Sequence, residues 1–397
     1  MRKNIGTSQP LISCPSLRIQ YIDGVDQLRA MAARWDDLWL RSEVTLPTAR
    51  AEFVAQWVEK FAKPGSFHAA VVQDRQRALV AALPMVYRRL GGVIPVAANA
   101  SNDWSSGGEL LLDPSVDSEA VLDVLLAAVA ELPRQLLWLG GATIDAPYWE
   151  AFAAAARRAG LSVELRRHFQ VALIEIGDDW EACKHSWAKN HRKKLAKHVR
   201  QLERRGELRL TVWSRLAVNE VESKLRRAFE LEDHGWKGRA GTSVLHVPGM
   251  FEFFLGQARL LAQNGELELS FLESAGRPIA FSYAMAAKGV HHSFKIGYDR
   301  EFAAFGPGQL LRYFLLERFH NDPACHAMDC VGPLAAGQLR WKPLFYTTGR
   351  VVVAPRRPIG RASLHAYKRW WPYFSRFRKR PGLTVETTRS VDIKSKA

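Results

Sequence analysis

From Lys295 to Leu311 the chain reads Lys-Ile-Gly-Tyr-Asp-Arg-Glu-Phe-Ala-Ala-Phe-Gly-Pro-Gly-Gln-Leu-Leu, a strand passing through a glycine hinge into a helix. A helix start leaves backbone N–H groups unpaired and carries partial positive charge, so a pyrophosphate placed there gains hydrogen bonds and a favourable dipole. Gly306 and Gly308 let backbone and ligand approach closely, Pro307 suits the first helical turn, and Gln309 follows within it. Just upstream, Tyr298 and Asp299 end the strand with a phenol able to give up a proton and a carboxylate able to orient an amine. Glu232, Asp233 and His234 end a helical stretch, and Glu232 or His234 is a candidate general base. Trp236 and Lys237 set an aromatic shelf beside an ammonium, a pairing that suits a sugar or a phosphate.

The elements that must carry these groups follow from hydrophobic period. Residues 17–22 alternate as a strand, residues 24–41 put Leu28, Trp35, Leu38 and Trp39 on one helical face, and a second helix follows Pro47. Runs 67–73, 78–87 and 93–97 form a meander, followed by helix 116–132, strand 136–139, helix 147–159 and strand 161–166. The second half repeats that grammar: strand 170–176, a long basic helix 180–205, strand 207–213, helices 218–234 and 248–263, then strands 267–273, 278–286 and 291–297. The fold class is therefore α/β (α+β), with two related units at 15–168 and 169–355 and a basic aromatic tail at 356–397, the end of which reads as disordered. The tail's Tyr367 to Arg380 mixes cations with aromatics as membrane-interface segments do.

The 397 residues carry a formal net charge of +16 and are 47% hydrophobic, which allows ordinary cores in two domains and predicts attraction to polyanions. The 4 cysteines are too few and scattered for a disulfide framework, as in a reducing cytoplasm. The Met-Arg-Lys start lacks an apolar signal core, and the apolar run 120–132 is far short of a membrane span. His320, Cys325, His326 and Cys330 follow no established metal-ligand spacing, so no metal is expected. No nucleophilic triad or Walker loop is present. The basic helix 184–205 reads as a solvated face standing apart from the glycine turn.

Taken together, Ser186-Trp187-Ala188-Lys189-Asn190-His191-Arg192-Lys193-Lys194, Glu232-Asp233-His234-Gly235-Trp236-Lys237-Gly238, Gly276-Arg277-Pro278-Ile279-Ala280-Phe281, Lys295 to Asp299 and Gly306-Pro307-Gly308 resemble the GNAT-type acetyltransferase family associated with bacterial cellulose and exopolysaccharide biosynthesis. That family is related to the Fem-type aminoacyl transferases. The resemblance spans about Trp180 to Lys342 and implies tandem GNAT-like (acyl-CoA N-acyltransferase) domains, each a mixed, largely antiparallel sheet flanked by helices. It implies an acyl thioester lying across the meander, acetyl-CoA or another acyl-CoA as co-substrate, with its pyrophosphate at Gly306, Gly308 and Gln309. Tyr298 would then protonate the leaving thiolate, and Lys342 resembles a lysine that stands near the acceptor phosphate in Fem-type relatives. The commonest GNAT phosphate signature, Gln/Arg-x-x-Gly-x-Gly/Ala, is reduced here to Gly306-Pro307-Gly308. A pantetheine thioester, a carrier-protein thioester and an aminoacyl-tRNA thus stay open as donors. The expected acceptor is an amine-bearing saccharide precursor of the envelope or an exopolysaccharide, handled in the cytoplasm with contact at an anionic membrane face. Nucleic acid is not expected as a partner except as tRNA, under the Fem-like alternative. A non-catalytic scaffold of a polysaccharide synthesis system is the third reading.

Overall fold

The computed structural model describes residues 17–377. The N-terminal half runs β1 (Arg18–Asp23), α1 (Val25–Ala30), α2 (Ala32–Arg41), α3 (Ala51–Phe61), β2 (Phe67–Gln73), β3 (Leu79–Leu90), β4 (Ile94–Ala98), β5 (Leu111–Leu112), α4 (Ser118–Glu131), β6 (Leu136–Thr143) and α5 (Pro147–Arg158). After β7 (Ser162–Glu175) come α6 (Trp180–Ser186), α7 (Lys189–Glu203), β8 (Leu208–Trp213), α8 (Val221–Asp233), α9 (Trp236–Arg239) and α10 (Met250–Gln263). The chain then adds β9 (Leu267–Ser274), β10 (Arg277–Ala287), β11 (Val290–Tyr298), α11 (Pro307–His320), β12 (Ala327–Asp329), β13 (Leu344–Ala354) and α12 (Pro358–Phe377).

The periodic expectations place most of these elements, and three differences matter. The helix expected over 24–41 breaks at Met31, and the basic helix breaks at Trp187 and Ala188. The two strands expected at 161–166 and 170–176 are one, because β7 pairs with β13 from Ser162↔Ala354 to Leu173↔Leu344. It continues through residues 168 and 169, with His168 the extra residue of a bulge between the Phe169↔Thr348 and Arg167↔Gly349 pairs.

One sheet carries both halves, in the order β1-β2-β3-β4-β6-β13-β7-β12-β11-β10-β9-β8, with β5 on β3. Each half contributes an antiparallel meander and one parallel pair, β4 with β6 and β11 with β12. The halves are thus GNAT-like units in tandem. One face of the sheet is covered by a core that unites Trp35, Phe53 and Trp57 with Phe229, Phe254 and Tyr283. On the other face, α4 and α5 cover the first half, and α7 and α11 the second.

The tail begins as α12, which docks on the sheet. Leu364 and Tyr367 are buried, Tyr367 meets Trp138 edge-on at 4.8 Å, and Arg166 lies over its ring at 4.3 Å. The side chains of Trp370 and Trp371, and residues 378–397, lie outside the described residues.

Candidate active site

The site forms where β11 and β12 part. Their parallel pairing covers only Val290–His292 against Ala327–Asp329, after which β12 ends and β11 continues to Tyr298 along β10. A bulge shifts the β10 register between Tyr283 and Ala284, so that Phe294 is the extra residue between Ser293 and Lys295. From Ser293 onward the edge of β11 therefore carries backbone groups that β12 does not meet.

Helix α11 starts beside this gap. Its N-cap, Gly306, takes the left-handed conformation (φ 61°), and neither a side-chain cap nor a first-turn acid fills the helix start. The amides of Gln309 and Leu310 both turn back to Gly306 O, which leaves the Gly308 N–H without an acceptor among the described residues. A Cβ on Gly308 would lie 4.0 Å from Tyr298 Cδ1, so the half-exposed Tyr298 ring stands beside that amide. Gln309 Oε1 accepts from Trp341 Nε1 at 3.0 Å, which carries the exposed Lys342 to the same helix start. Trp341 is itself fixed against Trp187 and His191 at 4.9 and 4.7 Å.

The corresponding place in the N-terminal half is closed. The Asp117 carboxylate caps α4 by accepting from Glu119 N and Ala120 N at 3.0 and 3.3 Å, and Glu119 in the same turn pairs with Arg158 at 3.1 Å. Asn99 stitches the gap between β4 and β6, accepting from Gly140 N at 2.9 Å and donating to Gly140 O at 2.5 Å. An anion would meet its own sign there, whereas the α11 start is free to receive one.

On the opposite face of β11, Glu232 is buried at the end of α8. Its Oε1 accepts from Lys237 Nζ at 2.5 Å and its Oε2 from Val244 N at 3.0 Å, so it anchors the link between α8 and α10. His234 is the exposed C-cap residue of α8. Its neighbour Asp233 accepts from Ser243 Oγ and from His246 Nδ1, the latter at 2.6 Å. Burial acts to raise the Asp233 carboxyl, but these hydrogen bonds and His246 hold it below its ordinary value. Trp236 opens α9, and its side chain lies outside the described residues. Asp299 is buried, caps the turn by accepting from Glu301 N at 2.9 Å, and pairs with Arg277. Its carboxylate thus holds the strand end in place.

Two groups escaped the sequence reading of the site. Lys295 projects on the Glu232 side of β11 with its ammonium over Trp104 and Phe254 at 5.0 Å each and Phe294 at 5.5 Å. Burial pushes it down to about 8, with Lys237 lowering it further and Glu232 opposing. Its register opposite the buried Tyr283 was the available signal. Arg312, one turn beyond Gly308 on the same face of α11, is 8% exposed and makes no hydrogen bond or ion pair among the described residues.

The basic helix does not stand apart from the glycine turn. A Cβ on Gly306 would lie 3.9 Å from His198 Nδ1, and Arg205 covers Phe305 at 4.5 Å, so α7 leans over the α11 start. Residues His320 and Cys325 are turned to backbone, His320 Nδ1 donating to Leu316 O at 2.8 Å and Cys325 Sγ to Ala327 O at 3.7 Å.

Comparison with known proteins agrees with this architecture. Residues 189–342 match the acetyltransferase (GNAT) domain family. Among solved structures, FemX is similar with a TM-score of 0.55 at 9% identity, covering 81% of this chain and 95% of its own. A conserved protein of unknown function from Bacteroides thetaiotaomicron VPI-5482 is similar with a TM-score of 0.52 at 11% identity, covering 85% of this chain and 100% of its own. No curated protein matches by sequence. With its parting strands and open helix start, the segment 189–342 is similar to acetyltransferase domains of the GNAT type, and it is set in a chain whose two halves share the GNAT-like fold.

Proposed function

We propose that this protein transfers an acyl group from an acyl-CoA, with acetyl-CoA as the first candidate, to an amine of an envelope or exopolysaccharide precursor in the cytoplasm. One observation carries the reading: the uncapped start of α11 lies at the parting of β11 and β12, while its counterpart in the other half is blocked by Asp117 and Asn99. The donor's pyrophosphate would sit at Gly308 N–H and Gln309, beside Lys342, and its thioester would lie along the vacated edge of β11. Lys295, when neutral, would take the proton of the acceptor amine from the Glu232 side. As the amine nitrogen attacks the carbonyl carbon, N–H groups of that strand edge would stabilise the oxyanion. Collapse of the intermediate breaks the carbon–sulfur bond, and Tyr298, on the α11 side, would protonate the departing thiolate. Lys237 and the link that Glu232 anchors would border the acceptor. The saccharide nature of the acceptor rests on the family resemblance of the sequence.

Calorimetric titration with acetyl-CoA tests the donor site. Wild type should bind, and Gly308→Val should bind at least about tenfold more weakly at an unchanged melting temperature, since the branched side chain would fill the space beside Tyr298. Equal affinities, or no binding by wild type, would refute the reading.

A second donor, aminoacyl-tRNA, is favoured by one feature: Lys189, Lys193, Lys194 and Lys197 are exposed on the helix that leans over the α11 start. Each phosphate neutralised there would release counterions, so tRNA binding should fall steeply with salt. Such binding, with no response to CoA thioesters, would select this reading.

A further inference from the structure

The N-terminal half repeats the plan of the active half, and something else occupies its centre. The link 42–50 between α2 and α3 stands where the link 234–249 stands between α8 and α10, and two cavities adjoin it. The larger, of about 180 Å³, is lined by Ser42, Glu43, Val44, Leu110, Tyr148 and Ala151 among others. The smaller, of about 40 Å³, is lined by Thr48, Asn99, Ser101, Glu109 and Gly141 among others, and the two share Val44. Lys288, at the turn between β10 and β11, holds this wall by donating to Ser42 O and Val44 O at 2.9 and 2.8 Å.

The smaller cavity holds acceptors with nothing to accept. Thr48 is 2% exposed, and its Oγ1 has no partner. Glu109 spends one oxygen, its Oε1 accepting from Trp149 Nε1 at 2.7 Å and from Leu110 N at 3.2 Å, while Oε2 accepts nothing among the described residues. The buried Thr48 hydroxyl in this state costs free energy that a ligand reaching it would recover, and the partly exposed Glu109 Oε2 is open to a donor. Burial pushes the Glu109 carboxyl up to about 7 against the Leu110 and Trp149 bonds, so a cation beside it would favour the ionised form. Sign points the same way. In a chain of net charge +16, neither cavity has a Lys, Arg or His in its lining, whereas Glu43 and Glu109 are both there. The larger cavity adds apolar wall from Val44, Leu110, Leu112, Pro114 and Ala151, which a lone water or a metal ion has no use for.

We propose that the N-terminal half binds a small primary amine, with its ammonium between Glu109 and Thr48 and its hydrocarbon body in the cavity beside Tyr148. An ammonium brings three donors on a compact head, which fits the small chamber, and its chain fits the larger one. This site is separate from the acyl-transfer centre and does not depend on the donor assigned there.

Calorimetric titration of the full chain with n-hexylamine, n-hexanol and hexanoate is the test. Hexylamine should bind, with hexanol and hexanoate at least about tenfold weaker. Glu109→Gln and Thr48→Val should each weaken hexylamine about tenfold or more, and Ala151→Phe, which fills the larger cavity, should remove its binding. Melting temperatures confirm that each variant is folded, and should Ala151→Phe fail to fold, the two polar variants decide the matter. Hexanol binding as tightly as hexylamine would reduce the site to an apolar hole. Binding that survives Glu109→Gln and Thr48→Val, or no binding of hexylamine up to about 10 mM, would overturn the proposal.

Discussion

Lys295 costs stability where it stands, which is what makes its role testable. Its ordinary value of 10.5 falls to about 8, so between those values the unfolded chain holds a proton that the folded chain has released. Stability therefore rises with pH across that window, and below about 8 the folded protein bears the full cost of burying the charge, up to about 3 kcal/mol. Lys295→Met should raise stability at pH 7, by as much as that, while abolishing most of the turnover. A base must be neutral to act, so wild-type kcat/KM should climb about tenfold per pH unit below 8 and level off above it. The variant's residual rate should lose that limb; a retained limb would assign the base elsewhere. Tyr298→Phe, by contrast, should lower kcat about a hundredfold with little change in donor affinity, since the ring beside Gly308 remains and only the proton donor goes. Steady-state kinetics with unchanged kcat would pass the acid role to water. The chemistry assigned to Tyr298 and Gly308 is proposed, while their local placing, at a strand end and in a helix start, was legible in the sequence. Lys295 was not, because Trp104, which covers it, comes from the other half. For the same reason Glu232 reads as a candidate base until Val244 and Lys237 are seen to occupy both of its oxygens.

Elements were legible wherever a period and a breaker coincided, as in α11 after Gly306-Pro307. Periodicity does not say what a helix leans on. Helix α7 satisfies the description of a solvated basic face, with Lys193, Lys194 and Lys197 exposed, yet His198 on the same helix reaches Gly306. Charges within about a Debye length of an anion at the α11 start add to its attraction, which salt weakens. Replacing Arg192, Lys193, Lys194 and Lys197 by Gln should therefore weaken acetyl-CoA binding by about three- to tenfold at low ionic strength, and by less at high salt. Titration at two salt concentrations checks both the size and the convergence. An affinity unchanged at low salt would return α7 to the passive role its charge pattern alone suggests.

At the scale of the molecule, two repeated units do not amount to two independent ones. The C-terminal strand β13 returns to lie between β6 and β7, pairing Leu137 to Thr143 on one side and Ser162 to Leu173 on the other. The core on the α8 and α10 face is common property, Arg50 reaches Glu266 at 2.6 Å, and Gln56 Nε2 donates to Phe253 O at 3.1 Å. None of this is local in sequence, so the chain's repeated grammar shows where units recur and hides how they are interlocked. A fragment of residues 169–355 would cut β7 in its middle, strip β13 of β6, and uncover Phe253, which Phe61 of α3 meets at 5.0 Å, and Phe254, which Trp104 meets at 6.4 Å. The area lost is apolar and continuous, and the freed edges of β7 and β13 are long. Such a fragment should show no cooperative heat-absorption peak by calorimetry, whereas the full chain should unfold in one transition rather than two. Two separate transitions in the full chain, or a fragment that melts cooperatively near the full-length temperature, would mean that the shared strands only join halves that each stand alone.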